Sequence, residues 1–309
     1  MMGKYIDVIK RIVIDPNYRF LRMADLGLYD RMDDETYLRK RFKAATGDEL
    51  HLDNPVTFNE KLQWIKLFDR NPLYTELVDK IKVKDYVAKK IGQQYIIPTI
   101  ATWNSPNEID FEQLPDQFVL KCNHNSGTGM FICKDKSKIN KKTIRRGLKK
   151  GLKEDKYKLA REWPYKNVQR MILAEKYMED SLTGELRDYK FFCFNGEVKA
   201  LFIASDRQTR GEETKFDFYD ADFNHLNLIN GHPNSSKIID KPFRFELMKM
   251  LASELSKGFP EVRVDFYEVN GEVFFGEMTF FHWSGMMPFE PKEWDYKFGE
   301  WINLPLKTI

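Results

Sequence analysis

Val262-Arg263-Val264-Asp265-Phe266-Tyr267-Glu268-Val269, then Asn270-Gly271, then Glu272-Val273-Phe274-Phe275-Gly276-Glu277-Met278-Thr279, is the stretch on which the fold turns. Two strand-length runs, Glu261–Val269 and Glu272–Phe280, flank an Asn-Gly pair, a strong short-range hairpin signal. Pairing of the two runs brings Asp265 and Glu277 close together on neighbouring strands. Arg263, two residues before Asp265, projects from the same strand face. Two carboxylates with the Thr279 hydroxyl beside them suit Mg²⁺ when phosphate oxygens complete its octahedron. Arg263 suits a phosphoryl group or a developing oxyanion. On these residues alone, an ordinary hairpin with solvated acids and a surface arginine fits equally well.

Outward from this hairpin, the chain repeats the device. Strands Asp188–Phe194 and Glu197–Ser205 meet at Asn195-Gly196. Further upstream, Phe118–Cys122 and Met130–Cys133 bracket the polar loop Asn123-His124-Asn125-Ser126-Gly127-Thr128-Gly129, and Arg170–Tyr177 reads as another strand. Helices are expected from Thr57-Phe58-Asn59-Glu60, a capping box opening a helix through Phe68, and over Leu73–Ile91 up to Gly92. Tyr95–Pro98 reads as a short buried strand, and Ser137–Tyr157 as a basic helical stretch. Local hairpins mixed with helices predict an α+β chain, not a doubly wound parallel sheet. Neither GxGxxG nor GxxxxGK[ST] occurs.

The bulk numbers exclude more than they select. The 309 residues are 42% hydrophobic and include 24 Phe, ample for packed cores. With 50 basic and 47 acidic residues, the charge balance does not point to nucleic acid. Cys122, Cys133 and Cys193 are scattered and lack CxxC spacing, so neither a disulfide framework nor a zinc ribbon is expected. Charges interrupt every apolar run near the N-terminus, so neither a signal peptide nor a spanning helix is expected and a cytoplasmic location is read. The Ile6, Ile9, Ile12 face packs on its own domain or touches a membrane surface.

Three further groups carry chemistry. Lys121 ends an apolar strand just before Ser126-Gly127-Thr128-Gly129, an arrangement that holds phosphates through an ammonium and loop N–H groups, or else a loose hairpin tip. Glu175-Lys176-Tyr177-Met178 ends a strand whose open backbone suits an adenine edge, with an edge strand leaving the core as the alternative. Arg207 is placed to grip an acidic sugar or is a loop charge, and His124 and His282 are substrate bases or structural histidines. Asp220-Ala221-Asp222 offers a DxD pair for a metal-held nucleotide-sugar, or an acidic turn. The lysines and arginines between Lys134 and Lys153 form a solvated outer helix or attract a lipid diphosphate-linked sugar.

In their order along the chain these groups resemble the ATP-grasp superfamily. Asp79-Lys80 looks like the first nucleotide lysine, Phe118–Lys121 with Ser126–Gly129 like the second lysine and its glycine loop, and Glu175–Met178 like the adenine hinge. Arg263-x-Asp265 and Glu277-x-Thr279 look like the metal strands, with Thr279 where the family usually has Asn. Asn54–Trp64, Asp69–Tyr74 and Phe118–His124 extend the resemblance over nearly the whole chain, to the TupA-like ATP-grasp family of capsule and surface-polysaccharide enzymes. The resemblance implies an ATP-grasp fold, two α+β subdomains clasping ATP, with an N-terminal helical extension. It divides the chain at 1–70, 71–116, 117–178 and 179–309. ATP would sit on Lys80, Lys121, Ser126–Gly129 and Glu175–Met178, and Mg²⁺ on Asp265, Glu277 and Thr279. Arg263, Lys190 and Arg187 would be catalytic, facing phosphates that activate a saccharide carboxylate for an amine. A uronic acid is the implied acid, a lipid-linked acceptor at the inner membrane face stays open, and nucleic acid is not a partner. A metal-dependent glycosyltransferase and a non-catalytic nucleotide-binding assembly protein are the rival expectations.

Overall fold

In the computed structural model residues 10–181, 186–205 and 213–307 are described. The expectations on Ile6, Ile9, a turn at Gly184, and Arg207 fall outside them. Two compact units emerge.

The first unit takes residues 1–71, 156–163 and 281–309. Its helices are α1 (Pro16–Asp25), α2 (Asp34–Thr46), α3 (Phe58–Phe68) and a C-terminal helix, Glu293–Trp301. The starts of α1, α2 and α3 are written in the sequence. Asp15 accepts from the N–H groups of Asn17 and Tyr18, Asp33 from Thr36, and Thr57 with Glu60 closes the expected capping box. Gly47 ends α2 in the left-handed region, at φ 85°. Phe58, fully buried, meets Phe289 and Phe298 edge-on at 5.9 and 5.7 Å. The inserted segment 156–163 is tied down by Arg161, 1% exposed. Its guanidinium donates to the carbonyls of Lys158, Tyr29 and Met32 and lies 4.0 Å above the Tyr37 ring.

The second unit, Pro72–Asp155 and Pro164–Phe280, holds two antiparallel sheets. One has the order β1-β4-β2-β3, with β1 Thr99–Trp103, β2 Phe118–Cys122, β3 Phe131–Cys133 and β4 Ile172–Lys176. The other runs β7-β6-β5-β8-β9, with β5 Asp188–Phe194, β6 Glu197–Ser205, β7 Lys215–Asp220, β8 Val262–Val269 and β9 Glu272–Thr279. Both Asn-Gly turns carry two positive φ angles in succession, 48° and 88° at Asn195-Gly196, 51° and 79° at Asn270-Gly271. These are the primed turns that match strand twist. A buried helix, Phe245–Ser256, lies against β5, β6 and β8 and covers one face of the larger sheet. The cysteines are unpaired and buried.

Three expected elements differ. The helix over Leu73–Ile91 is two helices, Leu73–Leu77 and Val83–Ile91. The Asp79 carboxylate accepts the Ile81 N–H at 2.9 Å, a local bond that competes with the helical ladder. Tyr95–Pro98 is not a strand. Gln93–Tyr95 form a 3₁₀ turn, and β1 begins after Pro98, which has no N–H to give a ladder. The basic stretch is broken into Lys136–Lys138, Lys141–Gly151 and Lys156–Ala160, each of the first two entered through a side-chain cap, Asp135 and Asn140. Strand β7 and the helix Phe245–Ser256 answer to no expectation above.

Candidate active site

A two-residue turn at Asn270-Gly271 pairs Val269 with Glu272 and continues in step to Phe266 with Phe275. Continued without a break, that register would set Asp265 opposite Gly276 and turn the Glu277 side chain to the other face. The ladder slips between Asp265 and Phe266, and Asp265 pairs with Glu277 instead. Gly276 is the extra residue of this bulge. A β-carbon there would lie 3.1 Å from the Asp265 carbonyl oxygen. The bulge thereby sets Asp265 and Glu277 on one face, with Arg263 opposite Thr279 one step along.

Three cations cover these carboxylates. The Arg263 guanidinium grips Asp265 with two donors, Nε to Oδ1 at 2.7 Å and Nη2 to Oδ2 at 2.9 Å. The same Nη2 reaches Glu277 Oε1 at 3.2 Å and Thr279 Oγ1 at 3.0 Å. On the next strand Lys190, paired with Asp265 in register, places Nζ on Asp265 Oδ2 and 3.1 Å from Asp188 Oδ1. Lys80 Nζ takes the remaining oxygen of Glu277 at 2.9 Å. Burial alone would raise the Glu277 carboxyl, but Lys80, Lys190 and Arg263 overcome it and hold it well below the usual carboxylate range. Burial likewise works to lower the Arg263 guanidinium, and Asp265 more than offsets it, leaving the guanidinium raised.

Lys80 is delivered by the break in the expected helix. Its backbone N–H donates to the Asn123 carbonyl at 3.0 Å, and the fully buried Asn123 amide donates to Asp79 and Gln169 while accepting from Met171. Asn125 holds the glycine loop from within, donating to the Thr128 and Gly151 carbonyls. Gly129, at φ 75°, packs on Gly147 and Gly151 of the helix Lys141–Gly151, closer than a side chain would allow. Ser126 and Gly127 at the tip are exposed. His124 is buried with Nε2 3.2 Å from the Glu154 carbonyl, and burial lowers its pKa; it is a structural histidine in its packing.

Glu175, itself buried, lies on the face of the smaller sheet opposite the core of Phe118, Leu120, Ile172 and Ala174, between two lysines, Lys121 at 2.5 Å and Lys84 at 2.6 Å. Burial opposes its ionisation, and the two ammonium groups prevail and lower its pKa. Lys84, which also donates to the Ile97 carbonyl and Thr99 Oγ1, was not singled out from sequence. Its spacing of four from Lys80 was the available signal. Lys176 and Tyr177 do not share this pocket. They line a separate depression of 1190 Å³ with Lys134, Lys136 and Lys141. Arg187, half-buried, precedes the first residue of β5. Asp220 is engaged by its own turn, accepting from the N–H groups of Asp222 and Asn224 and from the Asn224 amide, while the Asp222 side chain is 85% exposed. His282 is buried in the first unit.

The donor set fits Mg²⁺. Asp265, Glu277 and Thr279 offer oxygen alone, from paired strands, which is the chemistry of a hard divalent cation. Among the described residues no group of three or more His, Cys, Asp or Glu side chains is arranged to hold a metal. A metal here would draw its remaining oxygens from phosphate or water.

Residues 60–303 match the family model described as TupA-like ATPgrasp. No curated protein sequence matches. Among solved structures the chain is similar to D-alanine–D-alanine ligase from Helicobacter pylori, at 13% identity and TM-score 0.42, covering 82% of this chain and 68% of that one. It is also similar to the D-cycloserine synthetase DcsG, at 12% identity and TM-score 0.41, covering 74% and 70%. D-alanine–D-alanine ligase from Bacillus anthracis complexed with ATP gives 13% identity and TM-score 0.38 over 66% of this chain. This chain spans 53% of the length of that structure. Among the described residues no helix is long and apolar enough to cross a membrane.

Proposed function

This chain belongs to the TupA-like ATP-grasp family, and on that premise we propose that it is an ATP-dependent carboxylate–amine ligase that works through an acyl phosphate. The carrying observation is the cluster on β8, β9 and β5, where Lys80, Lys190 and Arg263 cover Asp265 and Glu277. Together with Lys84 and Lys121 against Glu175 and with Asp188, five cations face four carboxylates. That surplus of positive charge in partly desolvated surroundings favours a polyanion such as a nucleotide triphosphate.

In this reading Lys80, Lys121 and the Ser126–Gly129 loop hold the phosphates and the Glu175–Met178 strand end reads adenine. Asp265, Glu277 and Thr279 would hold Mg²⁺, which neutralises phosphate charge when bound. Lys190, Arg187 and Arg263 face the reacting groups. A carboxylate oxygen of the substrate attacks the γ-phosphorus and ADP leaves with the bridging electrons. An amine nitrogen then attacks the acyl carbon, phosphate departs, and Arg263 stabilises the oxyanion formed between those two events. We read the acid as a uronic acid or similar saccharide carboxylate of surface-polysaccharide assembly at the cytoplasmic side of the membrane.

The test is release of ADP in the presence of a uronic acid and an amine. Asp265→Asn is expected to reduce it by more than about 100-fold, the scale of one lost preorganised electrostatic contact. Circular dichroism serves as the check that the variant folds. ADP release by Asp265→Asn at the wild-type rate would remove the cluster from the chemistry. A complementary measurement is stabilisation by ATP with Mg²⁺, which Lys121→Ala should diminish and UDP-glucose should not reproduce.

A further inference from the structure

The helix Lys141–Gly151 has two unlike sides. Ile144 and Leu148 are buried in the core formed with Phe118, Leu120 and Ile172, and Gly151 is buried on the same side. Arg145 also turns inward, half-buried. Its guanidinium donates to the carbonyls of Pro106 and Ile109 and lies 5.2 Å from the Phe111 ring centroid. Lys142, Arg146, Lys149 and Lys150 point the other way. At about 100° of rotation per residue they fall within an arc of about 100°, and all four are exposed. Lys153, also exposed, follows just past the helix end.

Nothing local neutralises this face. Lys134, Lys138 and Lys141, at the approach to the helix, are paired with Glu179, Asp135 and Glu112. Lys142, Arg146, Lys149, Lys150 and Lys153 have no side-chain hydrogen bond or ion pair among the described residues. No Asp or Glu occurs between Asp135 and Glu154. Lys142 and Arg146 stand four apart, as do Arg146 and Lys150, a spacing at which like charges destabilise a helix. Lys141 and Lys142 also occupy its first turn, where the helix dipole disfavours cations. The helix thus carries its charge against its own stability, and an anionic surface laid on it would relieve that repulsion.

The chemistry of the face says which surface. It presents no exposed apolar side chain, so the helix can lie on lipid headgroups but has nothing to sink into the acyl region. Four of the five unpaired cations are lysines, compact point charges that suit a diffuse negative surface, whereas bidentate capture of a phosphate favours arginine. No aromatic residue lies between Lys134 and Lys153, so no base could stack among the cations as in a single-strand binder. Clusters of about four to eight Lys and Arg on one side of a helix are the pattern that binds anionic lipid.

We propose that the outer face of the helix Lys141–Gly151 docks this chain electrostatically on an anionic lipid bilayer. Such docking is independent of the chemistry proposed above. The probes are vesicles of phosphatidylcholine alone and with about 30 mol% phosphatidylglycerol, co-sedimented with the full chain at about 0.1 M salt. Wild type should partition at least about 10-fold more strongly onto the anionic vesicles, and about 0.5 M salt should erase the difference. Lys149→Gln with Lys150→Gln should weaken that partition at least about 10-fold, since each cation near an anionic surface contributes roughly a factor of five. Lys89→Gln with Lys90→Gln removes the same net charge from another exposed helix end and should change it by less than about 2-fold. Circular dichroism checks that both variants fold. Equal partition onto the two kinds of vesicle, no partition onto either, or the same loss in both variants would overturn the proposal. So would a duplex RNA that binds more tightly and displaces the vesicles, which would assign the face to nucleic acid.

Discussion

Glu277 in the second unit and Glu162 in the first are both carboxylates beside a lysine, and burial acts to raise both. Glu277 nevertheless ends well below its ordinary range, and Glu162 ends above it. The difference lies in the company. Glu277 has Lys80, Lys190 and Arg263 around it, whereas Glu162 has chiefly Lys66, itself lowered by burial to about 7. One cluster sets three cations around its carboxylates and keeps them ionised. The other keeps charge scarce, and its hydrogen bonds act on backbone, Asn59, Gln63 and Lys66 donating to the carbonyls of Met287, Ser284 and Gly285 at a strained turn. Under the proposed function, buried charge serves ligand capture in the second unit, while in the first it holds backbone.

The sharpest way to break this contrast on the architectural side is Gly285→Ala. Its β-carbon would lie 2.5 Å from Gln63 Nε2 and 2.8 Å from Leu62 Cβ, at a φ of 59° that alanine disfavours. The new methyl strikes the amide that anchors the turn, so the expected loss is about 3–5 kcal/mol in urea unfolding. A loss below about 1 kcal/mol would mean that the network does not set the turn.

A smaller effect concerns Lys66. Its folded pKa of about 7 lies below the unfolded value near 10.5, so the unfolded chain binds more protons between those limits. Stability from this group is therefore absent below pH 7 and grows as pH rises above it. From pH 7.0 to 8.5 the gain is roughly 1.5 kcal/mol, since each unit of pKa difference is worth about 1.4 kcal/mol. Asp295, raised by burial to about 6, acts lower, its contribution falling as pH climbs from the usual carboxylate range to 6, so the two windows separate. Lys66→Met should remove the rise above pH 7. A rise that survives the substitution assigns it to another group.

Much of this was legible in the residues. The Asn-Gly turns and the Val- and Phe-rich runs located β5, β6, β8 and β9 because a primed turn and a half-buried strand each leave a local signature. The capping box at Thr57 and Glu60 was as plain. The placement of Glu277 was not. Counting from the turn puts it on the wrong face, and only the bulge at Gly276 restores it, a choice made by packing across the pair. The break at Asp79 was hidden for the same reason, since Asp79 is fixed by Asn123, far along the chain. Lys84 passed unnoticed because an isolated lysine on a helix reads as solvated until the strand bearing Glu175 is laid beside it. Asn59, Gln63 and Lys66 were invisible as a network because a polar helical face normally means water.

The smallest expected effect belongs to Asp222. The DxD pair is the one feature that would move the chemistry away from the cation-rich cluster, to a metal-held nucleotide-sugar. Its two carboxylates are in different situations. Asp220 is committed to the turn by three hydrogen bonds, and Asp222 projects 85% exposed, with Lys249 Nζ 3.9 Å away. Such a surface pair contributes little, within about 0.5 kcal/mol. Asp222→Ala should therefore leave both the unfolding midpoint and the stabilisation by ATP unchanged. Loss of a UDP-glucose-dependent activity in that variant would show that a carboxylate outside the cation-rich cluster is the catalytic one, and the contrast between the two clusters would have no bearing on function.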